Sequence, residues 1–182
     1  MWSNLVSNPR RGLRLLGLFL LTLGVGALAL PSFGRMDIRD VSILDLELMR
    51  TSANAVEYVA LLGPDGVDAA KTAIYLDFPL LVLYAVALSA SCAVLAARAA
   101  ERGRTTLASA GRAIAWAAPV AAALDAIENV ALLQVLSDRV DQPWPGLAFG
   151  FASVKFALLA VVVAYLVVGL ARTAERVPTR SA

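Results

Sequence analysis

The stretch AIAWAAPVAAALDAIENVALLQVL, residues Ala113–Leu136, decides the fold. It is long enough to cross a bilayer as one helix, which takes about 20 apolar residues. Yet it carries Asp125, Glu128 and Asn129 at i, i+3 and i+4, which places all three on one helix face. Ionisable groups in hydrocarbon are costly and turn towards a bundle interior. An apolar helix with such a stripe therefore needs helical partners. Three further runs supply them: Leu13–Leu30, Ala73–Ala97 and Gly146–Ala171. The expected fold is all-α: a polytopic membrane protein with four transmembrane helices, at about 13–30, 73–97, 113–136 and 146–171, forming one domain over 1–182.

Composition agrees. The 182 residues are 59% hydrophobic, with a mean hydropathy of +0.73; soluble domains are about 45–50% apolar. The single Cys92 excludes an intrachain disulfide. The absence of histidine removes the usual ligand of haem, zinc and copper, so no metal and no cofactor are expected. There is no P-loop, dinucleotide fingerprint or nucleophile elbow. No basic stripe exists that would suit nucleic acid.

Charge orients the bundle. Arg10, Arg11 and Arg14 precede the first run. Arg98, Arg102, Arg104 and Arg112 face Glu101 in the link between runs two and three. Arg172, Arg176 and Arg180 face Glu175 in the tail. These segments hold ten basic residues against two acidic ones. Residues 31–72 hold seven acids (Asp37, Asp40, Asp45, Glu47, Glu57, Asp65 and Asp68) against four basic residues, and 137–145 hold Asp138 and Asp141 against Arg139. Lys and Arg bias loops to the cytoplasm. Both termini are expected there, in a bacterial inner membrane given the Arg, Ala and Val usage. The first run, with Ala27-Leu28-Ala29 near its end, also has the look of a cleavable signal. It is long for a signal core of about 7–15 residues, so a retained anchor helix is the expectation.

Residues 31–72 read as an extracytoplasmic helical loop. Ile43, Leu44, Leu46, Leu48 and Met49 form one apolar pattern. A second runs from a Ser52 N-cap to Gly63-Pro64. Such a loop either lies on the bundle as a linker or covers a site as a lid. Pro79 and Pro119 lie inside the second and third membrane runs, and free the carbonyls of Tyr75 and Ala115 for a neighbour to satisfy.

The polar residues converge in depth. At a rise of 1.5 Å per residue, Asp77 lies about 7 Å, Glu128 and Lys155 about 12 Å and Asp125 about 16 Å from the outer surface. Tyr84 shares a helix face with Asp77, seven residues on. Lys155 is one of two lysines in a chain with fourteen arginines. A compact ammonium that can lose its proton is favoured at that position, since Arg cannot. Lys155 is expected to pair with Glu128. Against one lysine, three ionised carboxylates would leave −2, so protons or a cation must offset the excess. Asp125, deepest by this reckoning and off the level of Lys155, is the expected neutral acid. The candidate ligand-binding or proton-linked set is Asp77, Tyr84, Asp125, Glu128, Asn129 and Lys155.

The segments Tyr75-Leu76-Asp77-Phe78-Pro79, Leu124-Asp125-Ala126-Ile127-Glu128-Asn129 and Lys155-Phe156 resemble a set of small bacterial four-helix membrane proteins to which no activity attaches. The likeness covers residues from about 40 to 171 and implies the fold alone. The layout of four helices with buried acids also looks like the sterol-isomerase and sigma-2 receptor architecture, without that family's sequence pattern.

Three functions fit these residues. One is binding or transport of a small cationic or amphiphilic ligand in an acid-lined site in the outer half of the bilayer, with a homodimer expected for transport. Another is an intramembrane enzyme doing acid/base chemistry on a lipid or isoprenoid-like substrate. The last is a structural subunit of a larger membrane complex. A cavity among the acids favours the first two, and a closed ion-pair network favours the third.

Overall fold

The computed structural model describes residues 43–174. The expected anchor helix at 13–30 and the end of the tail lie outside the described residues. Those residues form helices and no strand: α1 (Ile43–Glu47), α2 (Ser52–Glu101), α3 (Thr105–Ile114), α4 (Ala117–Val135) and α5 (Trp144–Ala174). Three helical stretches, Ser52–Glu101, Thr105–Val135 and Trp144–Arg172, are long and apolar enough to cross a membrane. They overlap the runs at 73–97, 113–136 and 146–171 and extend beyond them.

Local chemistry sets the breaks. α2 is capped by Thr51, one residue before the expected Ser52; its hydroxyl oxygen accepts from the Asn54 amide at 3.2 Å. Inside α2, Gly63 takes φ 61°, a left-handed conformation open to glycine, and Pro64 restarts the helix after it. Ala115 and Trp116 separate α3 from α4, one turn ahead of Pro119. A proline lacks the amide that would bond four residues back. The Ala115 carbonyl left over accepts from the Ser89 hydroxyl of α2 at 2.7 Å. A neighbouring helix thus satisfies the freed group, as expected for an apolar bundle.

Short links make α2, α3–α4 and α5 antiparallel neighbours, with α4 packed most extensively on α5. Two apolar clusters hold them together. At one end, Leu46 and Met49 of the α1 region meet Tyr58, Leu62 and Ile74 of α2, Leu132 and Val135 of α4, and Ala148 of α5. At the other end, Cys92 and Leu95 of α2 meet Ala118 of α4 and Val162 and Tyr165 of α5. On every long helix the polar residues fall between these clusters in chain order. Asp77 and Tyr84 lie between Ile74 and Cys92, Asp125 to Asn129 between Ala118 and Leu132, and Lys155 between Ala148 and Val162. The bundle is two dry cores with a polar layer between them.

Candidate functional site: a lysine among four carboxylates

Helix spacing builds the layer. Asp125, Glu128 and Asn129 share the inner face of α4 and are 6%, 0% and 4% exposed. Opposite them Lys155 of α5 is 4% exposed. Its ammonium donates to Asp125 Oδ1 at 2.7 Å and lies 2.9 Å from Glu128 Oε2. Tyr84 of α2 donates its hydroxyl to Asp125 Oδ2 at 3.0 Å, so Asp125 is held on both oxygens. Asn129 donates from Nδ2 to Asp77 Oδ2 at 2.7 Å, tying the half-buried acid of α2 to the same face of α4. The candidate set read from the sequence thereby falls in one layer across three helices, as two bonded groups, Tyr84–Asp125–Lys155–Glu128 and Asn129–Asp77, and the Lys155–Glu128 contact is present.

Asp125 is the nearest carboxylate to Lys155 and accepts from two donors, the Lys155 ammonium and the Tyr84 hydroxyl. Lys155 lies about 16 Å along α5 from its start at Trp144.

A fourth acid was missed. Glu47, at the end of α1, places Oε1 3.5 Å from the Lys155 ammonium. Burial pushes its carboxyl above the ordinary carboxylate range, and the charge of Lys155 opposes that shift. The sequence reading counted Glu47 as one more acidic loop charge. The available signal was its place between Leu46 and Met49, the two residues of that apolar pattern that turn inward. Leu46 and Met49 are buried. Gln142 donates to the Arg50 carbonyl at 3.3 Å, and the Arg50 guanidinium lies over the Phe149 ring. The segment 43–50 is thus seated on the bundle as a cover over Lys155.

Among the described residues, Lys155 is in contact with Glu47, Asp125 and Glu128, and Asp77 joins the layer through Asn129. Full ionisation of these four acids against Lys155 would leave −3. Among the described residues, Glu128 Oε1 and Glu47 Oε2 have no hydrogen-bond partner, although both atoms are sealed from solvent. Glu128 Oε2 has the Lys155 ammonium at 2.9 Å. A buried ionised carboxylate without donors is costly. Protons on some of these acids, or a bound cation, remove that cost. No group of His, Cys, Asp and Glu with the geometry of a metal site occurs among the described residues. No family model, no curated protein and no solved structure matches this chain.

Proposed function

We propose that the chain is a four-helix protein of a bacterial inner membrane, with 13–30 as its first span and both termini cytoplasmic. Its acid-rich layer, in the outer half of the bilayer, binds a small cationic or amphiphilic ligand with release of protons. The observation that carries this reading is the surplus of buried carboxylates over Lys155, with Glu128 Oε1 and Glu47 Oε2 left without donors among the described residues. Lys155, Asp125 and Tyr84 form the fixed part, since each is bonded to another. Glu128, Glu47 and Asp77 are the part that titrates against an arriving cation. Charge conservation gives the mechanism: a positive group that enters displaces protons, because the layer cannot hold either −3 or an added positive charge at low cost.

The test is calorimetry of the protein in bilayer discs with tetramethylammonium, in two buffers that differ in ionisation enthalpy. Saturable binding with proton release, reduced by Glu128→Gln, is expected. Binding without any proton release, or no saturable binding, refutes the reading. A structural subunit is the second reading. It is favoured by the closure of the Lys155 contacts, whose side chains are 0–17% exposed. Such networks can fix helix register alone.

A further inference from the structure

The face of the bundle between α2 and α4 is incompletely filled. A groove of about 710 Å³ runs there, walled by residues such as Phe78, Val82 and Ser89 on α2 and Pro119, Ala122 and Ala126 on α4. From Phe78 to Ala90 it extends about 18 Å along the helix axis. Its walls are almost wholly apolar, and alanines on α4 create the space. At one end, Ser89 bonds the Ala115 carbonyl. At the other, the walls lead to the polar layer. Leu81 of the groove is one turn from Asp77, and Ala126 is one turn from Asn129. The Asp77–Asn129 hydrogen bond thus lies about one helical turn beyond the groove's walls at that end. Asp77 is half-buried, and among the described residues its partner is the Asn129 amide, with no cation paired to it.

We propose that this groove is the site of a single-chain cationic amphiphile, its ammonium on Asp77 and its apolar chain along α2 and α4. The inference rests on the cation-binding reading and narrows the ligand class. Charge complementarity selects the occupant: a neutral lipid tail would suit the groove but would leave Asp77 unpaired. The groove is open along its length, at Val82, which is 64% exposed, and at Val86, 52% exposed. The ligand can therefore enter sideways from the lipid without passing α1. The Asn129 amide, 2.7 Å from Asp77 Oδ2, acts as a positioning group for that carboxylate.

The experiment uses the full chain in phosphatidylcholine discs and an alkyltrimethylammonium probe with a photoreactive diazirine at the end of its chain. Labelled residues are read by peptide mass spectrometry, beside an uncharged alcohol of equal chain length. The charged probe should label the deep end of the groove, at Ser89, Ala90 and Pro119, and Asp77→Asn should lower that labelling at least tenfold. Val82→Trp, at an exposed rim position, should block the label and leave tetramethylammonium binding within twofold. Equal groove labelling by the uncharged analogue overturns the proposal, since any tail would then suffice. So does labelling spread over α5, or found on residues 13–30, which would make the groove the seat of another segment of this chain. In those cases, continued proton-linked binding of tetramethylammonium leaves the wider reading standing; its absence removes both.

Discussion

Replacing Lys155 with Met tests the energetics of the layer. The substitution keeps a flexible chain of similar length and removes, among the described residues, the one cation in contact with Glu47, Asp125 and Glu128. At 2.7 Å and an effective dielectric constant of about 20, the attraction to Asp125 alone is about 6 kcal/mol. Desolvation of the two ions, several kcal/mol each, consumes much of it. The measurable quantity is the cost of leaving buried acids without their partner, about 3–5 kcal/mol. Unfolding in mixed micelles, followed by circular dichroism as the denaturing detergent fraction rises, measures it. Glu128→Gln added to Lys155→Met should recover about 1–3 kcal/mol, as expected for residues in direct contact. Asp125→Asn added to Lys155→Met should recover a similar part. If each double variant equals the sum of its singles within about 0.5 kcal/mol, the residues are not coupled and the polar layer is not an energetic unit.

Other outcomes follow from the same structure. With Cys92 replaced by Ala, a cysteine at Asp68 should react with an impermeant thiol reagent in intact cells, and one at Glu101 should react only after lysis; the reverse pattern inverts the proposed topology. Ser89→Ala leaves the Ala115 carbonyl without its donor and should cost about 1–2 kcal/mol. Amide exchange should quicken at the α3–α4 joint, and no change there would mean that water replaces the hydroxyl. The raised Glu47 carboxyl makes the seating of α1 depend on pH. A raised acid contributes its full stability below the ordinary carboxylate range and loses it as the pH climbs through the raised value. A fluorophore on the exposed position Leu48 should therefore report a looser α1 at higher pH, and Glu47→Gln should flatten the response; tightening at higher pH contradicts the assignment.

The long elements were legible because hydropathy and helix period are strong, local signals. So was the membership of the layer: i, i+3 and i+4 spacing put Asp125, Glu128 and Asn129 on one face, and a depth count brought Lys155 and Asp77 to it. The fate of the Ala115 carbonyl was legible in kind, since Pro119 frees it; the identity of Ser89 as its donor was not, because that depends on how α2 is rotated against α4. One detail went astray for a physical reason. Glu47 depended on whether a five-residue helix would turn its acid inward, which tertiary packing of Leu46 and Met49 decides. The groove had no signature in the sequence beyond the small residues of α4, because it arises from the spacing between two helices.

The central claim is that the surplus of buried carboxylates holds protons until a cation arrives. Infrared spectroscopy in the carboxylic-acid region, on ligand-free protein at neutral pH, tests it most directly. A protonated-carboxyl band is expected that weakens with Glu128→Gln or Asp77→Asn and falls when tetramethylammonium is added. A spectrum without that band, or one that tetramethylammonium leaves unchanged, contradicts the account.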